Sequence, residues 1–454
     1  MPIDPRHEQL EQWLDQLTEE LDLGKLEEAK QLLERFTPSE IAELIEALEP
    51  KYRAALWRLL RREVAGEVLV ELHEEVRASL VETLGVTDEQ ELIEAVGTLP
   101  IEELADVIEE LPEKIRAEVR RRLTDRERAQ LDQILAYPEE SAAALMRTDL
   151  LTVGPEMTIE EVLAEIRRRG ELPEMSDALY VVDRNRRLVG ILPIATLLTV
   201  DPKVRVEAVM ERDFIVVPAV TPASDVAFLF EHHDLIAAPV VDEEGRLIGR
   251  ITVDDVVEVI RDEAEHTLMS QAGLSEEVDM FAPVTVSVRR RAVWLGVNLV
   301  TAFIAAYVIG LFQETIDEIV ALAVLMPIVA SMGGIAGTQT QTLVIRALAL
   351  RQIGVSNAPA LLLKELAVGF LNGLIWAAVV GLIAALWFGL NIGGVIALAM
   401  VINLCCAAIS GVVIPILLDK MGIDPALAGG VLLTTVTDVV GFFAFLGLAT
   451  WLLL

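Results

Sequence analysis

The last third of the chain holds five apolar segments, about 292–313, 319–345, 360–388, 393–418 and 426–453, each long enough to cross a bilayer as a helix. Spanning the hydrocarbon layer takes ~20 apolar residues, and there each segment must satisfy its own backbone amides, which restricts this region to an all-α membrane domain, 288–454. Flanking charges orient it. Arg289-Arg290-Arg291 precede the first segment, and Arg346, Arg351 and Lys364 lie between the second and third, which marks those ends as cytosolic. Lys420 adds weakly to a cytosolic loop between segments four and five, while Glu314, Asp317 and Glu318 fall in a loop expected to face out. The N-terminus is then expected inside and the C-terminus outside.

Charge separates the rest from this domain. The seven acids and seven bases after residue 288 cancel, so the whole formal charge of −34 lies in the first 288 residues. Such a surface repels nucleic acid and attracts cations. The polar, acidic start Met1-Pro2-Ile3-Asp4-Pro5 does not read as a signal peptide, so the acidic part is expected to stay in the cytosol. Cys405 and Cys406 are adjacent in an apolar segment, where they point to different sides of a helix and read as packing residues.

Within the membrane segments polar residues are few, and they include Asn298, Asn372, Asn403, Gln339, Gln341, the threonines around 434–437, and Asp438. An isolated acid at membrane depth costs roughly 3 kcal/mol even on lenient scales, so Asp438 is expected to face a water-filled path or a bound cation. Glu365, beside Lys364 at a cytosolic end, reads as a cap or a snorkelling side chain. The second segment carries Met332-Gly333-Gly334-Ile335-Ala336-Gly337-Thr338-Gln339-Thr340-Gln341-Thr342 after Pro327. Three glycines weaken a helix, and with Gln and Thr oxygens following they read as pore lining, the alternative being close packing through small residues.

Before the membrane the chain changes character twice. Residues 1–135 read as a superhelical stack of short amphipathic helices, such as Leu26 to Leu33, Ile41 to Leu48 and Ile101 to Ile108, with helix starts at Thr37-Pro38-Ser39-Glu40 and Leu99-Pro100-Ile101-Glu102. An internal duplication follows: Met146-Arg147-Thr148-Asp149 recurs as Met210-Glu211-Arg212-Asp213, and Tyr180-Val181-Val182-Asp183 then Leu188 to Leu192 recur as Pro239-Val240-Val241-Asp242 then Leu247 to Ile251. This β-α-β-β-α order resembles a tandem pair of cystathionine-β-synthase (CBS) domains, 138–200 and 201–260. The resemblance implies a regulatory module whose Gly-x-x-Thr-x-x-Asp segment contacts ATP or another adenine nucleotide, here Gly249, Thr252 and Asp255. A strongly acidic helix, 253–273, leads to the membrane, with Asp255, Glu258 and Asp262 at three- and four-residue spacing on one face, where like charges repel unless a cation intervenes.

The candidate ligands are all oxygen, and His7, His73, His232, His233 and His266 all precede the membrane part, which disfavours zinc, nickel and copper there. Magnesium is held through one or two carboxylates and retained water, and one Asp per chain becomes a credible site when two copies meet on a symmetry axis. The order of parts, with Gly422-Ile423-Asp424-Pro425-Ala426-Leu427, Thr434 to Gly441 and Gly333-Gly334-x-x-Gly337-x-Gln339, resembles the MgtE-type magnesium channel family along essentially the whole chain. The resemblance implies a homodimer in the cell membrane with hydrated Mg2+ held by Asp438, lined also by Thr434, Gly441, Gln339 and Thr338. It also implies cytosolic Mg2+ sensing through Asp234, Asp255, Glu258, Glu263 and Asp424, the 253–273 helix acting as a plug. Three departures bear on selectivity: Ile335 replaces the family's usual asparagine, Thr338 replaces another polar residue, and Gly430 stands where asparagine can occur. A CBS-regulated transporter of another divalent cation (Co2+, Mn2+), an organic osmolyte or an anion is the alternative; a lone membrane acid and few membrane bases argue against an anion. Without a His-Glu-x-x-His or Gly-x-Ser-x-Gly motif, an enzyme is not expected.

Overall fold

The computed structural model describes residues 5–138, 140–173, 175–274, 279–354 and 356–454; the chain start Met1-Pro2-Ile3-Asp4 lies outside them. The chain forms two compact units, one comprising Met1–Glu265 and Glu277–Ala282, the other His266–Glu276 and Pro283–Leu454.

The first unit begins with ten helices: α1 Pro5–Asp22, α2 Leu26–Leu33, α3 Pro38–Ala47, α4 Pro50–Trp57, α5 Arg62–Glu71, α6 Glu74–Thr87, α7 Glu89–Val96, α8 Ile101–Ile108, α9 Glu113–Arg122 and α10 Asp125–Ile134. Each presents an apolar stripe to a shared core that includes Leu44, Ile45, Leu56, Leu69, Leu84, Leu92, Leu104 and Ile108. Helix α3 starts where its sequence says it should. Thr37 Oγ1 accepts the Glu40 amide at 3.3 Å, and the Glu40 carboxylate accepts the Thr37 amide at 2.8 Å, a reciprocal cap that satisfies two otherwise orphaned donors.

Two three-stranded sheets follow, formed by β1 Thr152–Val153, β2 Ala178–Val182 and β3 Leu188–Pro193, then β4 Val217–Pro218, β5 Ala237–Val241 and β6 Leu247–Thr252. In each, the first strand runs parallel to the second and the third antiparallel, with a bulge at the matching place, Val181/Val182 and Val240/Val241. Helices α11 Ile159–Arg169, α12 Ile194–Thr199 and α13 Ala223–His233 complete the repeats. The segment preceding each repeat is exchanged. Arg147 and Arg250 share a pair of backbone hydrogen bonds, as do Glu211 and Ile191, so each lead segment pairs with the third strand of the other repeat. This close approach explains two glycines: a Cβ at Gly249 would lie 2.5 Å from Met146 Sδ, and one at Gly190 2.8 Å from Met210 Sδ.

Helix α14, Val253–Gln271, carries the chain from the first unit into the second. Two residues past its end lies Gly273, whose φ of +69° is left-handed and whose absent side chain makes room for the Trp294 indole; a Cβ there would lie 2.1 Å from Trp294 Nε1. The membrane helices are α15 Val284–Gly310, α17 Ala321–Ala349, α18 Ala358–Phe388, α19 Leu390–Lys420 and α20 Pro425–Leu453, with the short α16 Gln313–Glu318 after the first. The first begins eight residues before the hydropathy boundary at 292, because its initial turns carry the Arg289 to Arg291 triad, which an apolarity criterion cannot see. α19 is the most buried and packs on α17, α18 and α20. Small residues bring it against α18: a Cβ on Gly393 would lie 2.5 Å from the Gly381 carbonyl oxygen, and one on Gly369 2.7 Å from Ala408 Cβ.

Substituting Gly249→Ala should cost about 1–3 kcal/mol in chemical denaturation, the usual penalty for overpacking. Combined with Met146→Ala the loss should be smaller than the two losses added; additive losses would show that the methionine contact is not the cause.

Candidate functional site

In the membrane unit the fifth apolar helix brings Asp438 to a shallow concavity of about 500 Å³ shared with Ala330, Ser331, Gly334, Ile335, Thr338, Gln339 and Thr434. Asp438 is half-buried, and among the described residues no charged or hydrogen-bonding group acts on its carboxyl. The two threonine hydroxyls donate back to their own helices, Thr338 to the Gly334 carbonyl and Thr434 to the Gly430 carbonyl, both at 2.9 Å. Their lone pairs are left to accept. A carboxylate amid oxygens whose protons are already committed suits a hard cation, or the outward hydrogens of its water shell.

The glycines of α17 divide between two tasks. The helix continues through all three and through Pro327, so backbone is not opened as the sequence suggested. Gly333 packs on Asn403, whose Nδ2 would sit 2.2 Å from an added Cβ, and Gly337 packs on Leu433; Gly334 alone has open space beside it and belongs to the concavity. Gly441 likewise faces Asn403, at 2.8 Å from an added Cβ, and is not among the residues lining the concavity of a single chain. Asn403 itself is buried and donates to the Val329 carbonyl at 2.8 Å, fastening α19 to α17 behind the site. Ile335 is 56% exposed on the concavity wall, an apolar surface one turn from Gln339.

Glu365 departs from the reading as a snorkelling group. It is 4% exposed, with Thr340 Oγ1 donating to it at 3.3 Å and Lys364 Nζ at 2.6 Å, because Thr340 packs over Gly411 and leaves a polar niche between α17 and α18. A neighbouring cavity of about 280 Å³ joins Thr338 and Thr434 to Gln341, Gly430, Asn298, Trp294 and Gln271, so the end of α14 closes one side of it.

The acids of the first unit converge elsewhere. A cavity of about 620 Å³ is lined by Glu67 and Glu71 of α5, Glu102, Glu103 and Asp106 of α8, Asp149, and Asp255, Glu258 and Asp262 of α14, with Arg77 and Arg147 as the basic residues. Arg147 Nη2 donates to Asp255 at 2.9 Å and to Asp254 at 3.0 Å. Arg77 is taken up by Glu110. Of these nine carboxylates Asp255 is held by Arg147 and Asp149 by Arg250, and Arg261 lies 3.9 Å from Glu258 and 3.5 Å from Asp262. Burial pushes the Asp106 carboxyl up to about 7, the Arg77 charge opposing and those of Glu103, Glu258 and Asp255 adding to the rise. Glu103 is raised by burial and by Glu67, and Glu258 by burial and by Asp262. Among the described residues no three side chains of His, Cys, Asp or Glu stand close enough to share one bare ion, so this cavity holds no preformed direct-coordination site.

The sequence-named acids are thus dispersed. Asp255 and Glu258 line this cavity, whereas Asp234 caps α13 in the left-handed conformation at φ +51° and Glu263 is exposed on α14. In the membrane unit Asp424 caps α20, accepting the Ala426 amide at 2.8 Å and the Leu427 amide at 3.1 Å, with His266 Nε2 3.3 Å away. The acids of α5 and α8 were missed. Their signal was available, since Glu67 and Glu71, like Glu102 and Asp106, repeat a like charge every four residues as α14 does. The nucleotide motif is occupied by local structure: Thr252 Oγ1 donates to Asp255 at 2.7 Å at the start of α14, and Gly249 lies under Met146.

Comparison with known proteins accords with this division. A family model described as the MgtE divalent cation transporter matches residues 326–448, one for the MgtE intracellular N domain matches 36–140, and the CBS domain model matches 142–203 and 206–262. The chain is 34% identical over 329 residues to the magnesium transporter MgtE of Thermus thermophilus, spanning 71% of this chain and 72% of that protein. It is 30% identical over 318 residues to the magnesium transporter MgtE of Bacillus subtilis, spanning 70% of each. Among solved structures, the cytosolic domain of the Mg2+ channel MgtE in complex with ATP aligns with a TM-score of 0.48 at 33% identity, covering 54% of this chain and 99% of that one. The chain belongs to the MgtE family of divalent cation transporters.

Proposed function

We propose that this protein is a magnesium channel of the cell membrane, acting as a homodimer with its N-terminus in the cytosol and its C-terminus outside. The observation that carries the reading is Asp438, a carboxylate on a membrane helix with neutral oxygens around it and no partner among the described residues. Two copies facing across an axis supply two such carboxylates, enough to hold a magnesium ion through its retained waters while Thr338, Thr434 and Gln339 accept from the shell.

Gating follows from the cytosolic acids. Two unit charges ~4 Å apart at an effective dielectric of ~20 repel by ~4 kcal/mol, while moving an equilibrium from 1:99 to 99:1 takes ~5.5 kcal/mol, so relief of one or two such pairs is sufficient. Magnesium entering the cavity of Glu67, Glu71, Asp106, Asp255 and Glu258 screens them and holds the cytosolic unit compact, which closes the pore; Asp234, Glu263 and Asp424 are further candidates for bridging ions. Loss of the ion restores the repulsion and opens it. An adenine nucleotide at Gly249, Thr252 and Asp255 would have to draw Asp255 away from Arg147, placing nucleotide and cation in one network.

The exposed Ile335 favours a second reading in which Co2+ or Mn2+ also passes, since an apolar wall offers no hydrogen-bond acceptor to fix a water shell.

Asp438→Ala should reduce divalent flux into proteoliposomes to background; wild-type flux would remove the assignment. Ile335→Asn should raise the ratio of Mg2+ to Mn2+ flux, and an unchanged ratio would take Ile335 out of the selectivity site. For the sensor, Asp106 has a folded-state pKa of about 7 against an ordinary 3.8, so without divalent ions the stability of the cytosolic unit falls as pH rises through that interval and levels off above it. Asp106→Asn should flatten that fall and blunt the Mg2+-induced rise in melting temperature at pH 8. A variant as Mg2+-responsive as the parent would place the sensing elsewhere.

A further inference from the structure

The short segment between α14 and the first membrane helix is bound to the helical domain by a buried ion pair. Asp279 is 6% exposed, and its carboxylate accepts Arg53 Nη1 at 2.6 Å and Nη2 at 2.8 Å. Arg53 is 2% exposed, the largest fully buried side chain, and its remaining donors serve the end of α3: Nε reaches the carbonyls of Leu48 at 2.9 Å and Ile45 at 3.1 Å, and Nη2 that of Glu46 at 3.3 Å. The Asp279 amide in turn donates to Glu75 on α6, and Asp279 Oδ1 accepts the Phe281 amide at 2.8 Å in a tight turn. Burial pushes the Asp279 carboxyl up, but the Arg53 hydrogen bonds and the Phe281 amide outweigh it and hold it below the usual range, in its charged form.

A buried pair of this kind is a weak source of stability, since desolvating both charges offsets most of their attraction, yet breaking it strands a charge in the core. Its geometry suits fixing position rather than adding stability. Arg53 is already committed to the α3 carbonyls, and only a carboxylate at the right place completes its shell. What it registers is a piece of chain three residues, 280–282, from Pro283, the N-cap of α15.

We propose that the Arg53–Asp279 pair is a mechanical tie through which the helical domain acts directly on the start of the first membrane helix, a transmission route separate from α14. This rests on the gating reading above. When the acid cavity between α5, α8 and α14 opens or closes, α3, α4 and α6 carry Asp279 with them, and the tie passes that displacement to α15 through the short hydrogen-bonded turn that follows Asp279.

The test uses the full-length protein in liposomes with two variants. Asp279→Asn weakens the tie at constant size. A short glycine–serine insertion between Ala282 and Pro283 leaves the pair intact but slackens the chain beyond it. Asp279→Asn should speed chymotrypsin cleavage after Phe281 by roughly tenfold, as loss of a charge-assisted bond predicts, while the insertion should leave that rate unchanged. Both should raise the internal Mg2+ concentration that half-closes the pore by about threefold or more, with the Mg2+ midpoint for protecting α14 from proteolysis unmoved. Cleavage that does not accelerate in Asp279→Asn overturns the tie. An unshifted half-closing concentration in both variants overturns the transmission. A wild-type current indifferent to internal Mg2+ overturns the gating reading itself, and this inference with it.

Discussion

Carboxylates short of positive partners are the constraint from which both halves of this molecule follow. In the membrane unit one such group, Asp438, sits on a helix where an isolated acid costs roughly 3 kcal/mol, amid glycine, threonine and glutamine rather than arginine or lysine. In the first unit nine line one cavity, only some of them paired with Arg147, Arg250 or Arg261, and burial lifts Asp106 to about 7. In the function proposed above each is completed by a small divalent cation, one as cargo and the other as signal.

Much of this was legible in the sequence, and the reasons differ by element. The ranges Leu26–Leu33 and Ile101–Ile108 coincide with α2 and α8 because an amphipathic 3.6-residue period, with proline or acids at the start, leaves little ambiguity. The repeat predicted two matching sheets, and the matching bulges follow from it. What the pattern could not carry was exchange between repeats: the roles of Gly190 and Gly249 lie in contacts with Met210 and Met146, in each other's lead segments. The same holds for the glycines of α17. Their number suggested an opened helix, whereas their neighbours decide the outcome: Asn403 and Leu433 turn Gly333 and Gly337 into packing positions and leave Gly334 to the concavity.

The candidate site was legible where a residue's anomaly is local and illegible where it is collective. Asp438 stands out in any apolar run. Glu365 looked unremarkable beside Lys364, yet it is buried, because the niche around it is made by Thr340 and Gly411 from two other helices. The acids of α5 and α8 carry a like-charge spacing of their own, but the cavity they share exists only once α14 is laid against them. Asp279 gave no sequence signal at all, being one acid in a strongly acidic region; only the buried guanidinium of Arg53, 226 residues earlier, distinguishes it.

The central claim is that the Asp438 carboxylate holds the permeating ion. Anomalous scattering from crystals of the full-length protein grown with Mn2+, an ion visible at its absorption edge, locates that ion directly. The account predicts a peak beside the Asp438 side chains, on the axis relating two chains, and its disappearance in Asp438→Asn. A membrane-depth peak away from Asp438, or one that persists in the variant, would contradict it.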